Sequence, residues 1–275
     1  MMDLESSTRL LRACVESMGS QLADPEQAAL LRWWEGERRR SRRLSRALFA
    51  LPCLDAEQAI LSHPAHHHRW YQQLASEVSI EEFAAFLLEN QAFPAFLPLV
   101  ERTLAAQITD AGRAAMLRNI EDERLPVPHA ALMRRLFQAV KAKARCDLPL
   151  ECYPSLVDRT LVFYYGYYRD PWHLVGSLFA TEVMSTHRMK HMARGLTRLG
   201  IEPGDLEFIR IHLLCDDGHA RDWHDGVIAP SLQRSPALRR PIAEGIASCL
   251  ETSVRYLDDL SRRADERRLG ALRTP

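Results

Sequence analysis

Apolar side chains recur along this chain at steps of three or four residues, the spacing that places them on one face of an α-helix. No stretch between two turn signals alternates cleanly between apolar and polar residues, as a half-buried β-strand would. The pattern therefore predicts an all-α protein with about nine helices.

Local signals mark where several of these helices begin and end. The segment 79–82 (SIEE) is a capping box, in which a serine hydroxyl and a glutamate carboxylate each accept from an otherwise free amide. Asp110 is placed to cap a second helix. Asp170, followed by Pro171, opens a third helix that ends at Gly200 after roughly 29 residues.

The rest of the sequence fits a single domain. Further helices are predicted from near Pro203 through the segment IRIHLLCDDGHARDW and over about 236–265. No repeat, low-complexity stretch or linker divides the chain. We therefore predict one helical domain over residues 1–275, in which 1–20 and 266–275 are the candidates for flexible ends.

The long helix opened by Asp170 carries a charged residue on its apolar face. Val175 and Leu178 precede Glu182 at steps of three and four residues, so the three side chains point the same way. An unpaired buried carboxylate costs several kcal/mol, on the order of a large part of a domain's stability. Glu182 is therefore expected to face a cation.

The next helix presents three polar side chains on one face. His212, Asp216 and His219 lie at i, i+4 and i+7, within roughly 60° of arc at about 100° per residue. Ile209 and Trp223 extend the same face with apolar side chains. An imidazole, a carboxylate and a second imidazole are thus expected to point into the bundle.

A further carboxylate and imidazole flank the break between two helices. Met116 and Ile120 lead at helical spacing to Glu123, after which two prolines interrupt the chain. His129 then starts the following helix.

Carboxylate oxygens and neutral imidazole nitrogens are ligands that iron and manganese accept, and helical bundles hold dinuclear centres with such groups. The chain has no Glu-x-x-His and no His-Glu-x-x-His, which argues against ferritin-like and zincin sites. The alternative is a purely structural hydrogen-bond network. The predicted metal ligands are Glu123, His129, Glu182, His212, Asp216 and His219.

Composition narrows the expected partners and compartment. Lys+Arg and Asp+Glu each number 36, so the chain lacks the positive charge of a nucleic-acid-binding protein, and a small molecule is the expected partner. The 6 cysteines include no Cys-x-x-Cys, and no secretory signal or membrane-spanning apolar run is visible. We expect a reduced, cytoplasmic protein, with a homodimer left open.

Three segments carry a resemblance to a known family. NIEDE followed by HAAL, GSLFATE on the long helix, and HLLCDDGH resemble the three-part signature of the haem-oxygenase-like diiron oxidases and oxygenases. The segment HPAHHHRWYQQLASEVSIEEF is similar to the early helices of that superfamily, so the resemblance spans about residues 60–235.

The resemblance implies a haem-oxygenase-like helical bundle that holds Fe(II), two ions per chain, and uses O2 as co-substrate. It implies a small substrate bearing an amino acid, amine or carboxylate group. The reactions of such relatives are N-oxygenation, oxidative C–C cleavage and decarboxylation, often in specialised-metabolite biosynthesis, and an external electron donor is a further expected partner.

Two other functions and one ligand choice stay open at this stage. The first alternative is a mononuclear-iron fatty-acid decarboxylase of the same fold, for which a long apolar cavity is expected. The second is a non-catalytic helical protein that holds a cofactor such as haem. Asp122, seven residues before His129, is the substitute for Glu123, which precedes His129 by six residues.

Several residues near these motifs receive other interpretations. His187 and His191 are expected on a surface face, and the histidine run 66–68 in a loop or helix start, with a surface metal as the alternative. Cys215 is expected to point away from the ligands. An outer or surface position is expected for Asp217, Asp222, His224 and Asp225.

Overall fold

The computed structural model describes residues 2–51, 56–91, 96–106, 108–145 and 150–271. The described residues form α-helices joined by short connections and contain no β-strand, which confirms the predicted all-α class. The helices are Leu4–Glu16 (α1), Asp24–Arg40 (α2), Arg42–Ala50 (α3), Ala56–Leu61 (α4), Arg69–Ser76 (α5), Ile80–Gln91 (α6), Phe96–Thr103 (α7), Asp110–Arg124 (α8), His129–Ala144 (α9), Pro154–Arg169 (α10), Pro171–Arg198 (α11), Glu207–Arg221 (α12), Ala229–Arg234 (α13) and Arg239–Ala271 (α14).

Three shorter elements complete the described chain. Two are 3-10 turns, Pro203–Leu206 and Pro236–Leu238, and the third is a π-helix, Asp222–Ile228, between α12 and α13. The predicted number of about nine helices was too low. Helices such as α4, α5 and α13 contain only 6 or 8 residues, too few for an apolar period to stand out in the sequence.

The predicted helix starts are largely confirmed. In the capping box, the Ser79 amide donates to Glu82 Oε2 at 2.8 Å, and the Glu82 amide donates to Ser79 Oγ at 3.2 Å. Asp170 Oδ1 accepts from two amides in the first turn of α11. The cap of α8 is Thr109 rather than Asp110, because the threonine hydroxyl accepts from the Gly112 amide at 3.0 Å.

The two ends of the chain are helical where the structure describes them. α1 begins at Leu4, and α14 continues to Ala271, beyond the predicted end near residue 265. Residues 272–275 lie outside the described residues, as do Cys53 and Cys146. Within the described chain no helix is both long and apolar enough to cross a membrane.

The core consists of two buried apolar clusters, and α11 runs through both. Val175 and Leu178 near the start of α11 belong to the first cluster, and Met189 and Leu196 near its end belong to the second. Glu182, which is 5% exposed, lies on α11 among residues of the first cluster, between Ala180 and Val183. A charged residue is therefore enclosed by the apolar core.

Two glycines let α11 and α14 approach closely. A Cβ atom added at Gly176 would lie 2.2 Å from the carbonyl oxygen of Ile242, and one at Gly245 would lie 2.1 Å from that of His173. Both distances are far below van der Waals contact, so only hydrogen fits at these two positions. His173 Nε2 also meets Ser248 Oγ at 3.0 Å across the same crossing.

Candidate metal centre

The end of α8 and the start of α9 bring the first carboxylate and imidazole together. α8 ends at Arg124 and α9 begins at His129, as the two prolines between them predict. His129 Nδ1 lies 3.2 Å from Glu123 Oε1, and both side chains are buried. Burial disfavours the charged imidazolium, but Glu123, Asp216 and Asp122 outweigh it and raise the pKa of His129.

α12 carries its three polar side chains on the face that the sequence predicted. The rings of His212 and His129 are 4.7 Å apart between centroids. Candidate ligand atoms of Glu123, His129 and His212 all lie within 4.8 Å of one another. A second group with the same mutual spacing contains Asp216 and His219, and both of these residues are buried.

Glu182 of α11 lies at the junction of these groups. Its Oε2 is 3.9 Å from His219 Nδ1. Burial, followed by the negative charges of Asp216 and Glu123, raises the pKa of Glu182 well above its ordinary value, and Arg188 acts in the opposite direction. Carboxylates from three helices are thus held close enough to repel one another, so the structure brings all six predicted ligand residues into one region.

The donor set fits a metal such as iron. Among the described residues Asp216 Oδ2 is buried without a hydrogen-bond partner, which is unfavourable for a carboxylate oxygen unless a cation contacts it. Repulsion among Glu182, Asp216 and Glu123 adds to that cost. Carboxylate oxygens and imidazole nitrogens are ligands that iron accepts, and a bound cation would offset both of these costs.

Hydrogen bonds leave one ring nitrogen of each α12 histidine facing the centre. His212 Nδ1 donates to the Phe208 carbonyl at 2.7 Å, so its Nε2 is the atom left for a ligand. His219 Nε2 donates to Asp122 Oδ2 at 3.2 Å, and its Nδ1 faces Glu182. A carboxylate or carbonyl behind the imidazole is the usual way in which a protein orients a metal-binding histidine.

The two candidate carboxylates at the end of α8 occupy different environments. The Glu123 side chain is 9% exposed beside His129, whereas the Asp122 side chain is 57% exposed and contacts His219 from outside. Adjacent residues on a helix point about 100° apart, and here Glu123 is the buried member of the pair.

Cys215 does not point away as the sequence suggested. Its Sγ lies 3.7 Å from Asp216 Oδ1, and it belongs to the group of possible ligand atoms that contains Asp216 and His219. Burial, followed by the charges of Asp216 and Glu182, raises the pKa of the thiol in the metal-free protein. Cys215 and Asp216 are adjacent in the chain, so their side chains can touch although they leave the helix in different directions.

The comparison with protein families agrees with this centre. A family model described as iron-containing redox enzyme, haem-oxygenase-like, matches residues 90–254, more than half of the chain. The chain belongs to this family. All six candidate ligands lie inside the matched residues, and no curated protein matches the sequence. The protein is thus an iron-containing oxidoreductase with the haem-oxygenase-like all-α fold.

In this iron-containing redox enzyme, two arginines that the sequence did not single out lie beside the centre. Arg188 is on α11 and Arg159 on α10, and both line a cavity of about 20 Å³, large enough for about one water molecule. Burial lowers the pKa of Arg188. Tyr71 acts in the opposite direction, and Arg159 lowers the pKa further. Arg188 lies six positions after Glu182, off the apolar stripe, so no periodic signal marked it.

The remaining residues of the cavity lie on five helices. Tyr71 of α5, Phe163 of α10, Thr181 of α11 and Tyr256 of α14 form part of its wall. Phe163 is buried and also belongs to the apolar core.

Two of the polar residues crowded around the α12 motif make outer contacts, whereas His224, which pairs with Asp225 at 2.6 Å, is buried. Asp217 accepts from the Thr186 hydroxyl at 2.7 Å, which joins α12 to α11. Asp222 pairs with Arg118 of α8 at 2.7 Å. These ion pairs and hydrogen bonds hold together the three helices that carry Glu123, Glu182 and Asp216.

Proposed function

We propose that this protein holds two Fe(II) ions in the six-residue centre and uses O2 to oxidise a small carboxylate-bearing molecule. The observation that carries the proposal is the arrangement of donors in two groups. Glu123, His129 and His212 form one group, and Asp216 and His219 belong to the other. Glu182 faces both groups, 3.9 Å from His219 and within the electrostatic influence of Glu123.

Each residue then has a distinct role. Glu182 would contact both ions, because, in addition to burial, Asp216 and Glu123, which belong to different donor groups, both raise its pKa. Glu123, rather than Asp122, would be the ligand beside His129, since Glu123 is buried there, and Asp122 would orient His219. When bound, ferrous iron supplies electrons for the reduction of O2.

The charge of the centre depends on metal loading. Ionisation of all three carboxylates would make the empty region strongly negative. Burial and this repulsion raise the pKa of Glu182 there, and two divalent cations would reverse the sign of the charge. A loaded centre would therefore attract an anionic substrate group that the empty one repels. This coupling favours substrate binding after metal binding.

Arg159 and Arg188 support a carboxylate as that anionic group. Two guanidinium groups line one cavity, and beyond the effect of burial Arg159 lowers the pKa of Arg188, so their repulsion is a cost that a bound anion would reduce. The cavity takes about one water molecule as it stands, so substrate entry requires these long side chains to move. The cavity lined by Arg159 and Arg188 is too small for the chain of a fatty acid.

We expect the metal-free protein to take up about two equivalents of Fe(II) per chain under anaerobic conditions. Iron content after desalting, measured together with O2 consumption upon exposure to air, checks this. Uptake of one equivalent would replace the proposal with the mononuclear alternative. Uptake of haem with no retained Fe(II) would favour the non-catalytic alternative. An added reductant, tested in parallel, would show whether an external electron donor is needed for repeated turnover.

Arg188→Gln is expected to raise the KM for a carboxylate substrate by about tenfold or more while iron content stays near the parental value. The change removes a charged donor from the cavity but no proposed ligand. Substrate-stimulated O2 uptake across amino acids and other small acids, each paired with its primary amide, measures the effect. Arg194→Gln, at an exposed position of α11, is the matched control. Equal responses to acids and amides in the parental enzyme would contradict the carboxylate assignment.

A further inference from the structure

Four histidines from two distant segments meet on the outer side of α11. His66 and His67 lie in the turn before α5, and His187 and His191 lie one helical turn apart on α11. The ring centroids of His66 and His187 are 4.6 Å apart, as are those of His187 and His191. His67 and His187 are 5.7 Å apart. The α11 pair is half-buried, and the structure adds a contact with the turn before α5 to the surface face that the sequence predicted.

The third member of the histidine run has a different role. His68 is the N-cap of α5, where its Nδ1 accepts from the Trp70 amide at 3.1 Å. Its Nε2 faces Asp258 at 3.2 Å. His68 is thus occupied at both nitrogens, and only His66 and His67 turn toward α11.

Two nitrogens of this histidine cluster (His66, His67, His187 and His191) are buried without a partner. Among the described residues neither His66 Nδ1 nor His191 Nδ1 makes a hydrogen bond. His66 as a whole is 8% exposed. A buried polar atom without a partner is unfavourable unless something outside the chain contacts it.

The cluster is built from neutral imidazoles. Burial, followed by His66 and His191, lowers the pKa of His187 to about 4, and burial also lowers the pKa of His66 and of His191. The charged groups that act on these rings are the cations Lys190 and Arg194. Neutral imidazole is the form that binds a metal, and no proton has to leave first at neutral pH.

The ring spacing suits a shared ion. With a metal–nitrogen distance of about 2.0–2.1 Å and tetrahedral angles, two imidazoles on one ion have their centres roughly 5 Å apart. The distances of 4.6 and 5.7 Å lie on either side of that value. The nitrogens of the four rings do not form a group within 4.8 Å of one another as the centre's donors do, so metal binding would require the rings to turn, which the broad terminal torsion of histidine allows.

We propose that His66, His67, His187 and His191 form a second metal site, separate from the iron centre, for a divalent transition cation such as Zn²⁺. An all-imidazole set without a carboxylate selects Zn²⁺, Cu²⁺ or Ni²⁺ over Mg²⁺, Ca²⁺ or Mn²⁺. His187 follows Glu182 by five positions, about 7.5 Å along α11 and roughly 140° around it, so the two sites do not share ligands. The bound ion would join the turn before α5 to α11.

Part of this site lies outside the residues that match the family model. His66 and His67 precede residues 90–254, which match the family model, while His187 and His191 lie within them. The site thus depends on a contact between the matched region and the segment before it. It does not rest on the diiron proposal, because it uses none of the six ligands.

The test is Zn²⁺ binding by the full-length, metal-free protein, because it separates the two sites. Calorimetry with a competing chelator measures the Zn²⁺ bound per chain. The parental protein is expected to bind one more Zn²⁺ than His187→Asn. Glu182→Gln is likewise expected to bind one more than the double variant that carries both substitutions. Zn²⁺ is also expected to raise the Tm of Glu182→Gln but not of its His187→Asn derivative. X-ray absorption at the zinc edge of Glu182→Gln should show imidazole nitrogen around that ion.

His63→Asn is the matched control. His63 lies three residues before His66, and its Nδ1 accepts from the Ala65 amide at 3.2 Å, so it should leave the extra ion in place. His191→Asn is the second variant. If His187→Asn does not fold, the Zn²⁺ binding of His191→Asn tests the proposal instead. The proposal is overturned if neither variant weakens Zn²⁺ binding by about tenfold, or if His63→Asn weakens it equally, which would indicate adventitious surface binding.

Discussion

Glu182→Gln is expected to lower Fe(II) affinity by at least about a hundredfold and to leave the metal-free protein at least as stable as the parent. Glutamine keeps the size of the side chain but removes the charge proposed to contact both ions. Burial, followed by Asp216 and Glu123, already raises the pKa of Glu182, so the ionised carboxylate is unfavourable when no metal is present. Loss of that charge should therefore relieve repulsion.

The two halves of this prediction need separate measurements. Iron retained after anaerobic loading and desalting reports the affinity, and the urea midpoint in the presence of a chelator reports the free energy of unfolding of the metal-free chain. Glu121→Gln, an exposed position on α8 two residues before Glu123, is the matched control and should change neither. Retention of parental iron by Glu182→Gln would remove Glu182 from the ligand set. A loss of more than about 2 kcal/mol in stability would show that its role is structural.

Gly176→Ala is expected to reduce the free energy of unfolding by about 1–3 kcal/mol or more. The new Cβ would lie 2.2 Å from the Ile242 carbonyl oxygen, and backbone cannot rotate away as a side chain can. α11 and α14 would have to separate at their closest crossing. Because α11 also carries Glu182 six residues further on, a shift of the helix is expected to weaken iron binding as well.

The matched control for this substitution has the opposite expected sign. Gly36 lies inside α2, and no described atom comes within 4 Å of a Cβ added there. Gly36→Ala should therefore stabilise the protein by about 0.5–1 kcal/mol through the lower backbone entropy of alanine. Denaturant unfolding of both variants gives the comparison. Equal midpoints for Gly176→Ala and the parent would contradict the close packing of α11 and α14.

Features that depend on a few neighbouring residues were predictable from the sequence. The capping box at Ser79 and the cap at Asp170 follow from hydrogen bonds that span three residues. The common face of His212, Asp216 and His219 follows from the 3.6-residue period, and Glu182 was recognised because it breaks an apolar stripe with the same period. These rules act within one helix, so no knowledge of its neighbours is needed.

What the tertiary structure decided involves contacts between helices far apart in the chain. Arg159 and Arg188 meet in one cavity, and His66 meets His187, although neither pair has any local pattern in common. The burial of Glu123 and the exposure of Asp122 are likewise set by the packing of α8 against its neighbours. A helical period fixes which side chains share a face of one helix, but the relative rotation and spacing of two helices depend on their whole interface. The sequence by itself therefore determined the all-α class and the candidate ligands, and the packing of the helices decided which of their side chains meet.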